Sequence, residues 1–145
     1  AEGDIMSIGV SNFDISYLED VKQMANVLPH IVQNYAAVGE EDGLAFEWCI
    51  TNGAIFQPYA TARNLPELVT EVPELVATLE KLASRYKVSK QAVIHRYFLQ
   101  TGSSVIPRSS DIAHLVENLS ILQWSLAADE MAELGRFKEA LTSNA

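Results

Sequence analysis

One cysteine, no long apolar run and few basic residues narrow the reading of this 145-residue chain before any motif is considered. A lone Cys49 cannot form an intrachain disulfide, so packing has to hold the fold. It fits a reducing compartment such as the cytoplasm. No stretch approaches the roughly 18 apolar residues of a membrane helix. No basic segment precedes an apolar one as in a signal peptide, although an organelle-targeting segment removed ahead of Ala1 stays open. Ten Lys and Arg stand against nineteen Asp and Glu, a formal charge of −9. Such a surface repels phosphate backbones and argues against nucleic acid as a partner. It leaves room for a local basic pocket around one small anion. There is no Gly-x-Gly-x-x-Gly, which argues against a Rossmann pyrophosphate loop. There is no repeat or low-complexity tract either, so residues 1–145 read as one unit.

What is present is an alternation. Short runs rich in large apolar residues read as strands: Ile5–Val10, His30–Asn34, Ala54–Tyr59 and Ser104–Pro107. Between them, apolar residues recur at helical spacing. Asp14 is placed to cap a helix carrying Ile15, Leu18, Val21, Met24 and Ala25, with Pro29 beyond it. A second helix runs from Glu41 to Asn52 and closes at Gly53. After a loop, residues 73–86 put Leu75, Val76, Leu79, Leu82, Ala83 and Tyr86 on one face. Ser89 then caps a helix reaching Gln100, and Ser110 or Asp111 caps one through Leu119. A last helix covers about 128–138. Strands that are apolar throughout predict a parallel sheet covered by helices. A small doubly wound domain and part of a (β/α)8 barrel both satisfy this pattern. In either, the four strands should lie in sequence order with their C-terminal ends on one rim.

Those ends carry convergent chemistry. Ser11, Asn12 and Gln33 offer hydroxyl and amide groups suited to a carboxamide. Tyr59 offers a flat ring for stacking. Arg108 and Ser109 stand just before a helix N-terminus, where amide N–H groups and the helix dipole favour an anion. Each has a bland reading alone, as turn, solvated end, packing ring or surface cation. Together, carboxamide, aromatic ring and phosphate describe a nicotinamide dinucleotide.

The motifs themselves have a family resemblance. Ile8-Gly9-Val10-Ser11-Asn12-Phe13 resembles the fifth-strand motif of the aldo-keto reductases, Val32-Gln33-Asn34 the sixth strand and Pro58-Tyr59 the end of the seventh. Ile106-Pro107-Arg108-Ser109 with Leu115-Val116-Glu117-Asn118-Leu119 resembles the Ile-Pro-Lys-Ser and Ile-x-Glu-Asn-Leu signature. The resemblance implies an α/β fold, a partial TIM (β/α)8 barrel whose four parallel β/α units correspond to strands 5–8. It implies NADP(H) as cofactor, with NAD(H) as alternative. Ser11, Asn12 and Gln33 would hold the nicotinamide carboxamide and Tyr59 would stack on its ring. Arg108 and Ser109 would contact phosphate, and Glu117 and Asn118 would reach the adenine.

Departures from the pattern bear on selectivity. Arg108 replaces the usual lysine and keeps its charge. His114 replaces the arginine that recognises the 2′-phosphate, and histidine is the weaker anion partner near neutral pH. Ala60-Thr61-Ala62 replaces Ser-Pro-Leu, and Ala127 stands where Ser or Thr caps the last helix. The family's catalytic Asp, Tyr, Lys and His belong to the first half of the barrel, and Ala1-Glu2-Gly3-Asp4 resembles the end of the fourth helix. No catalytic residue and no metal site is therefore expected within these residues. His95 reads as a core or surface residue, and His30 as lying on the opposite rim. Two functions follow: the cofactor-binding half of a carbonyl reductase, acting with the first half of the barrel, or a non-catalytic half-barrel in a larger assembly. The substrate class is small carbonyl compounds.

Overall fold

A computed structural model describes residue 3, residues 5–39 and residues 42–142, without the side chains of 138–142. Three short strands, β1 (Gly9–Ser11), β2 (Ile31–Gln33) and β3 (Ile55–Phe56), form a parallel sheet in sequence order. Gly9 pairs with Ile31, Val10 with Val32 and Ser11 with Gln33; Val32 pairs with Phe56. Backbone bonds continue past the strands, Tyr59 N–H to Asn34 carbonyl and Ala36 N–H to Tyr59 carbonyl. Gly9 is required at its place: a Cβ there would stand 2.9 Å from the Ile31 carbonyl oxygen.

Among the described residues seven helices accompany the sheet: α1 (Ile15–Met24), α2 (Gly43–Asn52), α3 (Leu65–Glu71), α4 (Pro73–Tyr86), α5 (Lys90–Gln100), α6 (Ile112–Ser120) and α7 (Ala128–Thr142). Their starts follow the capping chemistry. Asp14 accepts from the Ser16 and Tyr17 N–H groups, Ser89 from Ala92, and Asp111 from Ala113 and His114. Gly53 closes α2 in the left-handed conformation. The start expected at Glu41 lies outside the described residues, and Asp42 is the N-cap.

Two expectations need correction. The segment Ser104–Pro107 is not a strand. It follows β3 by one backbone bond, Ser104 N–H to Phe56 carbonyl at 3.0 Å, and Pro107 has no N–H to extend a ladder. The loop expected before residue 73 contains α3, whose Leu65 and Leu68 are buried. Pro66 flanks its start and Pro73 follows its end, and each sits in a first helical turn where proline's missing N–H costs nothing.

Packing lies on one side of the sheet. Val32 and Phe56 point into the helical layer and are buried with Leu18, Trp48, Leu75, Leu79, Val93, Ile94 and Leu134. The residues between them in the strands point the other way. Among the described residues nothing covers that face, and Ile55 is 48% exposed. Helix α6 likewise leaves Ile112, Val116 and Leu119 exposed.

Glu130 of α7 is the most deeply placed carboxylate among the described residues, at 3% exposure. It accepts from Arg85 at 2.8 Å, from the Tyr86 hydroxyl and from the Ala127 N–H at 2.8 Å. The Tyr86 ring stacks on Trp124, centroids 4.9 Å apart. The bond to Ala127 is half of a capping box, with Glu130 reaching back while Ala127 has no oxygen to offer in return. Ala127→Ser supplies the missing acceptor. We expect it to raise stability by about 0.5–2 kcal/mol in denaturant melts; no gain would mean that the first-turn N–H groups are already satisfied.

Candidate functional site

The strand ends converge as the parallel order requires. Asn12 turns the chain from β1 towards α1 at φ 58°, a left-handed conformation that asparagine tolerates better than most residues. Its N–H donates to the Gln33 carbonyl at 3.0 Å. Its side-chain Oδ1 accepts from the Tyr59 hydroxyl at 2.8 Å, so the ends of β1 and of the β3 segment are joined across β2. Tyr59 also meets Tyr35 edge-on, centroids 5.9 Å apart. Ala60, next in the chain, is left-handed at φ 60°. Without glycine's freedom or an asparagine side chain, that is a strained position beside the rim. Beneath Asn12, buried Asn34 pins the loop: its amide donates to the Phe13 carbonyl at 2.7 Å and to Asp42 at 2.9 Å.

Gln33 and Ser11 are register partners on the uncovered face. The Gln33 amide nitrogen donates to Gln57 Oε1 at 2.7 Å, and Gln57 Nε2 donates to Ser104 Oγ at 2.9 Å. A polar ladder thus crosses three neighbouring segments. It fixes which end of Gln33 is occupied and leaves its carbonyl oxygen to accept from a ligand. Sequence reasoning treated Gln57 only as strand; its position two residues before Tyr59, on the opposite face from Phe56, was the available signal.

Tyr59 is also the edge of a cavity of about 570 Å3. Arg108, Ser109, His114, Glu117 and Asn118 line the same cavity, so six of the nine expected site residues meet there, with Ser11, Asn12 and Gln33 on the adjoining rim. Arg63 lines it too, a second guanidinium in a loop without a motif to mark it. Among the described residues neither Arg63 nor Arg108 has an ion-pair partner. Ser109 sits in a hydroxyl turn, its Oγ accepting from the Asp111 N–H at 3.0 Å, directly before the positive end of α6. In a chain of charge −9, this corner concentrates positive groups.

Glu117 is the cavity's own acidic residue, and it is already engaged. One oxygen accepts from the Ser89 N–H at 2.8 Å and the other from the Ser89 hydroxyl at 2.7 Å. A capping box usually draws that carboxylate from the third residue of its own helix. The third residue of α5 is Ala92, so Glu117 of α6 provides it from outside.

His95 also lines the cavity, as a buried residue of α5. Burial holds its imidazole below the usual histidine range, partly offset by Asn118 and by the nearby charge of Glu117. His30 lies at the opposite end of β2, accepting from the Ile8 N–H at 3.2 Å. Among the described residues there is no cluster of potential metal ligands, and no helix is long and apolar enough to cross a membrane.

A sequence model of the aldo/keto reductase family matches residues 1–139. Among curated proteins, aldo-keto reductase family 1 member A1 of Gallus gallus is 29% identical over 143 residues, which covers 92% of this chain and 42% of that protein. A probable NAD(P)H-dependent D-xylose reductase of Aspergillus flavus is 27% identical over 150 residues, 95% of this chain and 46% of that one. An aldo/keto reductase structure from Brucella melitensis superposes with a TM-score of 0.79 at 24% identity, covering 94% of this chain and 50% of its own. An NADPH complex of a Gox0644 variant gives 0.78 at 26% identity, covering 90% and 46%. The chain therefore spans less than half the length of the curated relatives it matches.

Proposed function

From a chain that belongs to the aldo/keto reductase family, we propose the cofactor-binding half of an NAD(P)H-dependent carbonyl reductase, with residues 1–145 supplying units five to eight of the barrel. The observation that carries this reading is the continuity of the site. Tyr59 stands between a rim of amides and hydroxyls and a cavity also lined by Arg63, Arg108 and Ser109, the last just before α6. A dinucleotide needs that sequence of surfaces: carboxamide partners, a ring platform, then anion partners.

The donor set fits such a group. Ser11, Asn12 and the carbonyl oxygen of Gln33 would orient the nicotinamide carboxamide. Arg108 and Ser109 would hold phosphate, with His114 beside them, and Asn118 would meet the adenine. When bound, the nicotinamide supplies a hydride; these residues supply its orientation. The proton that a reduced carbonyl requires would come from the first half of the barrel.

Titration of the protein with NADPH and NADH tests the reading. A charge-assisted contact contributes about 1.5–3 kcal/mol. Arg108→Ala should therefore weaken NADPH roughly ten- to hundredfold and NADH far less. Equal losses for both cofactors would remove Arg108 from the 2′-phosphate, and no binding of either by the wild type would end the proposal.

A further inference from the structure

Two hydrogen bonds at the rim each engage one end of a side-chain amide. The Tyr59 hydroxyl donates to Asn12 Oδ1 at 2.8 Å, which leaves the Asn12 N–H2 group to donate elsewhere. Gln33 Nε2 donates to Gln57 Oε1 at 2.7 Å, which leaves Gln33 Oε1 to accept. Among the described residues no other side chain takes either free end. The two residues are neighbours, joined by the Asn12 N–H on the Gln33 carbonyl at 3.0 Å. The rim therefore offers one donor and one acceptor side by side.

A primary carboxamide answers both at once, its carbonyl oxygen towards Asn12 and its N–H2 group towards Gln33. An amide side chain presents either end with little difference in shape, so this polarity has to be held. For Gln33 it is held by Gln57, whose Nε2 is in turn engaged by Ser104 Oγ at 2.9 Å. The backbone fixes both supports: the Gln57 N–H donates to the Val32 carbonyl at 2.8 Å and the Ser104 N–H to the Phe56 carbonyl at 3.0 Å. All three side chains are half-buried. With Gln33 reversed, two carbonyl oxygens would face each other there, a bond lost and a repulsion gained. We propose that Gln57 is a positioning residue: it holds Gln33 with its oxygen outward, so that the rim selects a ligand carrying a carboxamide N–H2 group over one that offers only a carbonyl. The inference rests on reading the rim as the nicotinamide end of the cofactor site.

The probes are NADP+ and its 3-acetylpyridine analogue, in which a methyl group replaces the carboxamide nitrogen. They differ in the one group from which Gln33 Oε1 would accept. Wild type should bind NADP+ about three- to tenfold more tightly, the scale of one hydrogen bond. Gln57→Leu releases Gln33 to turn, and the preference should fall to about twofold or less. Gln57→Glu keeps an acceptor for the Gln33 amide and should retain the preference. Adenosine 2′,5′-bisphosphate has no pyridine ring and should bind wild type and Gln57→Leu alike, which reports an intact cavity. Where Gln57→Leu fails to fold, Ser104→Ala makes the same comparison: Gln57 then turns freely, and the preference should fall part of the way. A merely structural role for Gln57 would weaken all three probes together and leave the ratio of the two dinucleotides unchanged. That result, or no preference in the wild type, overturns the proposal and leaves the nucleotide reading standing. No binding of any probe by the wild type overturns both.

Discussion

Purified alone and given NADPH with a broad panel of aldehydes, residues 1–145 are expected to turn over none of them. Hydride delivery builds an oxyanion that needs a positioned proton donor, a group that contributes roughly 10²–10⁴-fold. Two tyrosines stand at the strand rim: the Tyr59 hydroxyl donates its proton to Asn12 at 2.8 Å, and Tyr35 meets the Tyr59 ring edge-on. Among the described residues no lysine lines the adjoining cavity. His95 is buried in α5. The assay is NADPH oxidation followed at 340 nm, repeated after adding the first half of an aldo/keto reductase barrel. Turnover that appears only with the added half supports the division of labour proposed above. Steady turnover by a monodisperse monomer of this chain would refute it.

The second large effect is on stability. Glu130→Ala should cost about 2–4 kcal/mol, since a buried carboxylate with three donors is lost together with its packing. The Arg85 share of that is small, because its guanidinium side chain is 61% exposed and screened. Most of the loss falls on the Tyr86 hydroxyl and the α7 cap. Glu130→Gln separates charge from shape and should cost less. It also changes the alkaline limb. The hydrogen bond to Glu130, with burial behind it, raises the Tyr86 phenol above its usual range. The folded chain then keeps a proton that the unfolded chain releases, so stability declines as pH rises past about 10. Glu130→Gln should flatten that decline, and ultraviolet titration should show a tyrosine moving back towards its ordinary range. A melt of Glu130→Ala within 1 kcal/mol of wild type would show that the cluster is incidental.

Helices were legible where a cap and a face coincided. Asp14, Ser89 and Asp111 each precede a helical apolar pattern, and each caps a helix in the structure. Strand length was less legible. A run such as Ser104–Pro107 has strand composition, but a ladder requires partners, and composition carries no record of them. Helix α3 was hidden because it is only seven residues long, and Pro66 in its first turn and Pro73 just beyond it punctuate the pattern. At the site, motif residues stood out through the resemblance, whereas Arg63 and Gln57 did not. Arg63 reaches the cavity from a loop whose path depends on the left-handed Ala60. Gln57 matters only through Gln33 and Ser104, residues far away in sequence.

The carboxylate that Glu117 provides to Ser89 also orders events in time. Helix α5 has its own hydroxyl cap, but the Ser89 N–H is satisfied by a residue 28 positions later. Until α6 is docked, that amide can be satisfied only by water. The helix's first turn is finished only when α6 has been made and has docked. Docking of α6 thus completes the first turn of α5 and a wall of the cavity together.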